Sequence, residues 1–555
     1  MELLYVWIEK YKNIKEQGFN FSSKHHFEFI PKKSTTEKII GGKLHHQQNS
    51  NHIQNFFGEN ITNVTAIIGE NGVGKSSLLE ALVDILPEPI SYEWKYLIVF
   101  EDNNKVLNVS SSFGKINSPK YIKDTFAYHF NKSYHIFYKE ILDMNDYSTR
   151  HQMHSLEKFI DLSIANALFK ASFMDNVYEE FDKQIDFVIN SNIQQNYIFQ
   201  YPQSFTLNES RIMSESLATR KESSDINDYI STITAQKHEW LEYRIKVFFL
   251  KKNGYVYQQI FAMTKKQLNQ TLLQRFSKRK NANPNDIIRL FKILTDKLNY
   301  QINDYLPRYS VKEDNKKIKE LYNLLRKTGL HEYFILGWSW ERTSIVGGMS
   351  SGELKLLTLL SKFYSIRLGI EKKKDIVILI DEGETGFHPQ WQKEYLKILV
   401  VFLPQIFTDN KIQIILTSHS PFLISDLPKE NIIFLSKDTE GKCIVSQLQD
   451  RKETFGSNIH TLFTDSFFMK GGLIGSFAQD KINQVIDLLN EDIERIEENE
   501  DFIKKVIEMI GEPILKKQLL KMLDDKLILS SIGLNKKIKE MEKEIEKLKS
   551  KTKNL

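Results

Sequence analysis

The sequence predicts an α/β protein: a mixed sheet around a glycine-rich turn, a large helical insertion and a helical C-terminal tail. Three observations predict it. Val64–Ile68 (VTAII) is a short β-branched run leading straight into a glycine-rich turn, and Ser76–Leu86 behind it reads as a helix. Three continuous apolar runs, Asp375–Ile380, Ile412–Ser418 and Asn431–Ser436, are separated by helical segments, which is the pattern of buried parallel strands. Between these two groups lies a Lys- and Leu-rich stretch with helical apolar spacing.

Taken in order, Leu3–Ile8 is an apolar run. After the Gly18 region, Phe19, Phe21, Phe27 and Phe29 fall on one side of an alternating pattern, so the first stretch reads as a hairpin. Leu44–His52 (LHHQQNSNH) reads as a solvated loop rather than a metal site, and the pair His151 and His154 is read the same way. Tyr96–Val109 gives two strands around a polar turn, Asp102–Lys105. From about Ser155 to Asn196 the pattern is helical, and from Asp225 to Leu330 it is mostly helical again with no long heptad run. The tail from about Phe455 is helical. Its end carries Leu534, Ile538, Met541, Ile545 and Leu548 at spacings of 4, 3, 4 and 3, an a/d seam of two heptads. So short a seam is marginal alone; docking onto the body, onto a partner or onto a second copy all stay open.

Composition narrows the class. Length 555 implies several domains, and 41% hydrophobic with 26% charged residues reads as a globular chain. No apolar run approaches the ~20 residues that span a bilayer. The N-terminus, MELLYVWIEKYKNI, has neither a basic leader nor a small-residue cleavage site. The single cysteine, Cys443, excludes a disulfide framework and a CxxC zinc site, so a cytoplasmic location is expected. Net charge is +5, from 76 basic and 71 acidic residues, and excludes no partner. The basic segment Lys265–Asn281 reads either as a solvated helix face or as a nucleic-acid footprint.

Four short stretches carry chemistry. Gly69-Glu70-Asn71-Gly72-Val73-Gly74-Lys75-Ser76, followed by Ser77, fits the phosphate-binding loop, with a strand before it and a helix after it. Its glycines let backbone N–H groups turn around phosphates, and the helix N-terminus adds positive potential. Lys75 is expected at the β- and γ-phosphates and the Ser76 hydroxyl on Mg²⁺. The run IVILIDE brings Asp381 and Glu382 to a strand end, where ligands gather in open α/β sheets. Asp381 is expected to hold Mg²⁺, and Glu382 to orient or deprotonate the attacking water. Met349-Ser350-Ser351-Gly352-Glu353 precedes an amphipathic helix and reads either as a Ser-capped start or as an oxyanion site. Thr417-Ser418-His419-Ser420-Pro421 ends another strand, and after the IDE pair His419 is expected to sense a γ-phosphate.

GENGVGKS, MSSGE, ILIDEGETGFHP and TSHSPF, in that order, resemble the ABC-type ATPases of the SMC/RecF/OLD group, as does the opening IEKYKNI. The resemblance implies an ABC-type P-loop nucleotide-binding domain using ATP and Mg²⁺. It also implies a homodimer, or a higher homo-oligomer, in which Ser350, Ser351, Gly352 and Glu353 act in trans on the partner's nucleotide. The chain departs from the pattern at three places. Ser351 replaces a signature glycine, His388 stands in the D-loop (GFHP), and Tyr134–Met144 lacks the Q-loop glutamine, leaving Gln152 as a candidate. Lys75 and Asp381 are 306 residues apart, so an arm is inserted. The resulting division is 1–150 and 341–450 for the ATPase, 151–340 for the mostly helical arm and 451–555 for the helical C-terminal region.

Thr454–Asn483, with NFFGENITNVTAIIGENGVGKSSLLEAL near the front, is similar to ATPases of bacterial anti-phage systems, notably the Septu type that works with an HNH nuclease subunit. After His419, NIIFLSKDTEGKCIVSQL reads as the last strands of the sheet, and Asn490–Asp501 as a charged helix face; no Toprim or HNH constellation is read in this chain. The expectation is an ATPase that regulates or scaffolds an effector, a nuclease. Nucleic acid would be bound directly or through that partner, and no membrane is involved. The alternative is a RecF-like clamp gripping DNA itself. A transporter subunit is set aside by the long separation and the missing glutamine.

Overall fold

The computed structural model describes residues 1–50, 52–87, 94–113, 116–125, 133–139, 158–163, 173–191, 193, 202–209, 225, 228–232, 243, 246–247, 250, 257–277, 284–296, 308–328, 330, 334–339, 349–446, 452–465, 474–528, 538–539 and 541–545. Contacts divide the chain into two units, Met1–Leu462 and Phe463–Leu555.

The first unit opens with the hairpin expected from the sequence, β1 (Glu2–Tyr11) and β2 (Ile14–Asn20). The four phenylalanines do not share a side. Phe19 and Phe21 join Val6 and Ile8 in one core, whereas Phe27 and Phe29 join Tyr5 and Trp7 in another. The chain leaves the first sheet after Phe21, and β3 (His25–Lys33) pairs with β4 (Ile39–Gln48) in a separate sheet. An alternation carried through a corner changes face, and β1 is buried on both of its faces, so both cores accept aromatic rings. Leu44–Gln48, expected as loop, is the second half of β4, and its polar side chains lie on a strand with a partly solvated face.

The chain continues through β5 (Ile61–Gly69), α1 (Lys75–Ile85), β6 (Tyr96–Glu101), β7 (Leu107–Ser111), β8 (Ile116–Asn117), β9 (Lys123–Asp124), β10 (Tyr134–Lys139) and β11 (Phe159–Asp161). Phe159–Asp161 was expected within a helical stretch; it adds a parallel edge strand beside β10 instead. Helix α2 (Phe173–Asn190) follows, then β12 (Ser204–Glu209), α3 (Lys265–Ser277), α4 (Pro284–Asp296), β13 (Arg308–Ser310), α5 (Asn315–Thr328) and β14 (Phe334–Ser339). Strands β13, β12 and β14 form a small sheet of their own. Helix α6 (Ser351–Ile366), β15 (Asp375–Asp381), α7 (Pro389–Ile406), β16 (Lys411–Thr417), α8 (Pro421–Ser425), β17 (Ile432–Lys437) and β18 (Cys443–Val445) complete the main sheet. Its order is β11-β10-β15-β16-β5-β17-β18-β2-β1-β6-β7-β9. The first six strands run parallel. Strand β15 is buried at every position, as a strand covered on both faces must be. Helix α1 covers one face, setting Leu78, Leu79 and Leu82 in one core with Ile67, Leu379 and Ile415.

The second unit has its own core. Ile482, Val485 and Leu489 of α9 (Ser476–Asn490) cluster with Ile496 of α10 (Ile493–Glu498), Ile503 and Ile507 of α11 (Glu500–Met509) and Leu523 of α12 (Pro513–Ile528). The acidic stretch lies on these helices, as its pattern implied. Ile538, Met541 and Ile545 of the a/d seam are helical and exposed. Leu534, Leu548, His151, Gln152 and His154 lie outside the described residues. Among the described residues no helix is long and apolar enough to cross a membrane.

Candidate functional site

Parallel strands present their carboxyl ends together, and here the register aligns them residue by residue. Lys139 of β10 stands beside Asp381 of β15, Asp381 beside Thr417 of β16, Thr417 beside Ile67 of β5, and Ile67 beside Ile433 of β17. The chemistry-bearing residues gather along this one row, where crevices form in such sheets.

The glycine-rich loop leaves β5 at Gly69. A Cβ there would stand 2.4 Å from the Leu435 carbonyl oxygen, so the close approach of β17 admits only glycine. Glu70, Asn71 and Gly72 make the outer turn, and Val73 is fully buried. Gly74 caps α1 at φ 116, where a side chain is strained. The tip of the β1–β2 hairpin braces the loop from behind: Asn13 Nδ2 donates to the Val73 carbonyl at 2.8 Å. Lys75 is buried, and its ammonium donates to the carbonyls of Gly69 (3.0 Å) and Glu70 (3.1 Å). Burial pulls its pKa down, against the attraction of Glu382 and Asp381. Ser76 and Ser77 lie half-buried in the first turn.

Ser76 Oγ donates to Asp381 Oδ1 at 3.1 Å, joining loop and acidic strand end. The same oxygen accepts from Thr417 Oγ1 at 2.6 Å. The other oxygen of Asp381 faces Lys139, with Nζ at 3.2 Å, an ion pair buried at both ends. Glu382 follows with φ 51; its amide donates to Thr417 Oγ1 at 3.0 Å, and its carboxylate lies 3.3 Å from His419 Nε2. The His419 imidazole holds the Glu382 carboxyl below its ordinary range; burial opposes this, while Lys75 and Lys139 assist.

Each residue of Thr417–Ser420 thus has a partner beyond β15. Thr417 holds Asp381 and Glu382, Ser418 donates to Glu384, and His419 faces Glu382. Ser420 Oγ donates to Gln392 Oε1 at 3.1 Å, and Gln392 Nε2 reaches the Phe387 carbonyl at 3.0 Å. His388 caps α7 through Nδ1, which accepts from the Gln390 amide at 3.3 Å.

Ser350 caps α6 in a full capping box. Its Oγ accepts from the Glu353 amide at 3.3 Å, and its own amide donates to Glu353 Oε2 at 2.7 Å. Ser351 and Gly352 fill the first turn, where a Cβ on Gly352 would meet Trp391 at 3.2 Å. Lys355 on this helix donates to the Thr385 carbonyl, tying the helix start to the loop after β15. Among the described residues no hydrogen bond or ion pair joins Ser350–Glu353 to Gly69–Ser77.

The structure therefore brings Lys75, Ser76, Asp381, Glu382 and His419 together, and none of the described hydrogen bonds or ion pairs ties Ser350–Glu353 to them. Sequence reasoning assigned no role of their own to Lys139, Thr417, Glu384 or Asn13. Lys139 sits in the very stretch searched for a glutamine, so its signal was the strand position, not the residue type.

Comparison with known proteins gives a family match, "AAA domain, putative AbiEii toxin, Type IV TA system", over residues 177–425. The matched region holds Ser350–Glu353, Asp381, Glu382 and His419, but not the glycine-rich loop. Among solved structures the chain is similar to the SmcHead bound to the C-winged helix domain of ScpA. That similarity is 10% identical and covers 80% of this chain and 98% of that one, with a TM-score of 0.26. No curated protein matches the chain.

Proposed function

We propose that the chain is an ABC-type ATPase that closes as a homodimer around ATP and regulates or scaffolds a partner effector in bacterial anti-phage defence. The observation that carries the ATPase reading is the meeting of Ser76 and Asp381 at 3.1 Å, across 305 residues of sequence. A hydroxyl and a buried carboxylate oxygen are hard donors suited to Mg²⁺. Ser76 and Asp381 would hold that ion, which when bound draws charge off phosphate oxygens. Lys75, now on the carbonyls of Gly69 and Glu70, supplies its ammonium to the phosphates. Glu382, kept ionised beside His419, orients a water and accepts its proton. His419 fixes that carboxylate and faces the terminal phosphate. Ser350–Glu353 offer a capped helix N-terminus to the nucleotide of a second copy.

The effector as a nuclease, of HNH type, follows from the resemblance of the front and tail segments to the Septu group. The toxin named in the matched family's description supports an activity that must be held in check. A second reading, a dimer gripping DNA itself, draws on Lys265 and Lys266, both exposed at the start of α3. It requires DNA affinity that falls steeply with salt.

Nucleotide binding and hydrolysis test the reading. Lys75→Ala abolishes ATP binding, and Glu382→Gln keeps binding while kcat drops by about 100-fold or more. Hydrolysis by Glu382→Gln at the wild-type rate would remove Glu382 from its role, and a wild-type chain that binds no ATP sinks the whole reading. Mass spectrometry of the native complex expressed with neighbouring genes identifies the effector.

A further inference from the structure

We infer that Glu384 is a positioning residue of this site: a buried carboxyl that fixes the Ser418–His419 peptide and so aims the His419 imidazole at Glu382. The inference rests on the ATPase reading for its catalytic consequence.

Glu384 is 3% exposed. Its Oε1 accepts from Ser418 Oγ and from the His419 amide at 3.3 Å. Ser418 Oγ in turn accepts from the Ser420 amide at 2.9 Å. One carboxyl oxygen therefore anchors the backbone from Ser418 to Ser420. That anchor matters because the His419 ring is itself substantially exposed, with Glu382 as its ionic neighbour. An exposed ring keeps its aim only if the backbone carrying it is fixed.

The second oxygen, Oε2, is buried with no hydrogen-bond partner among the described residues. An ionised carboxylate with one bare oxygen in such a place is far costlier than a neutral acid. Burial pushes the Glu384 carboxyl up, and the nearby Glu382 pushes the same way, while Ser418, Glu384's own amide and the His419 amide oppose them. Two carboxyls two residues apart are thus driven in opposite directions, Glu382 to the charged form and Glu384 to the neutral one. Such divergence separates the roles of paired acids.

The test compares Glu384→Ala, Glu384→Gln and Ser418→Ala, each with and without His419→Ala. Glu384→Ala should lower kcat by about 10- to 100-fold, the scale of a misaimed group, with ATP affinity unchanged. Glu384→Gln keeps the acceptor oxygen and should restore most of the rate. In the His419→Ala background, Glu384→Ala should cost nothing more. Amide hydrogen exchange at His419 in the nucleotide-free chain should quicken in Glu384→Ala and not in Glu384→Gln. If Glu384→Gln is as damaging as Glu384→Ala, the charge is needed and the inference is wrong. Additive losses with His419→Ala overturn it as well. Should Glu384→Ala fail to fold, Ser418→Ala cuts the same link from the other side and carries the same expectations. A wild-type chain that hydrolyses no ATP defeats the ATPase reading alone, and the exchange comparison still decides this one.

Discussion

Glu382 holds a left-handed backbone, φ 51, that costs a non-glycine residue on the order of 1 kcal/mol. Thr417 holds it there, its hydroxyl accepting a hydrogen bond from the Glu382 amide and donating one to Asp381. Lys139 closes the far side. A buried ion pair that loses one partner leaves an uncompensated charge, worth about 3 kcal/mol. Lys139→Met should therefore lower the unfolding free energy of the nucleotide-free chain by about that amount. With Mg²⁺ and ATP the loss should shrink, because another cation then faces Asp381. Equal losses with and without ligand would show that Lys139 is not balancing Asp381. A second residue reports on pH. His25 donates or accepts at His46, 3.0 Å away, and its nearest charged and titratable neighbours are Lys24, His46, His52 and Glu101. Burial first, then Lys24, lowers its pKa from 6.5 to about 4. Above pH 6.5 the fold and the unfolded chain are both neutral there. As pH falls from 6.5 toward 4 the unfolded chain takes a proton that the fold refuses, so stability drops by up to about 3 kcal/mol. Denaturant midpoints at pH 7.5 and pH 5 should show about 2 kcal/mol of that drop, and His25→Gln should reduce it. The sequence displayed His46 and His52 within a polar run. What it could not display was that β3 lays His25 against His46, because that contact depends on register across the hairpin.

Helix α6 carries Ser350–Glu353 at its start and lies along α2 for much of its length. Arg367, just past the end of α6, pairs with Asp186 at 3.1 Å, and Phe187 meets Tyr364 edge-on at 5.3 Å. Gln184 is the centre of the junction. Its Nε2 donates to Thr358 Oγ1 at 3.0 Å, and its Oε1 accepts from Trp338 Nε1 at 2.9 Å. The small sheet, α2 and α6 are thereby one packed block. Gln184→Leu keeps the bulk but strands the buried Trp338 donor, an effect of about 2 kcal/mol. Urea unfolding should show that loss, and an unchanged midpoint would mean the block does not depend on this link. The helices here were legible because their apolar spacing is regular. The small sheet was not. Ser204–Glu209 (SFTLNE) is mixed in character, and Arg308–Ser310 is too short to show any period. The long parallel strands were legible for the opposite reason, since β15 and β16 are mainly β-branched and apolar and end in the residues that matter.

Across the whole molecule, the arrangement of the two halves of the proposed nucleotide site decides how many chains are needed. Gly69–Ser77 is held by Asn13, Asp381 and the loop's own carbonyls, whereas Ser350 and Glu353 bond to each other and Gly352 packs on Trp391. No hydrogen bond or ion pair joins the two halves within the described part of one chain. A two-fold dimer would complete both at once, since each copy offers the same two patches. Glu382→Gln should then run as a dimer on size exclusion only when ATP and Mg²⁺ are present. Mixing two inactive variants gives the sharper test. Lys75→Ala spoils the loop, and Ser350→Arg spoils the signature helix start at the modest cost of a lost cap, about 1 kcal/mol. Each variant alone has no intact site. In a mixed dimer the loop of one copy meets the signature of the other, leaving one good site. With free exchange half the dimers are mixed and each has one of two sites, so activity should return to about a quarter of wild type. A site built within single chains predicts no recovery at any mixing ratio.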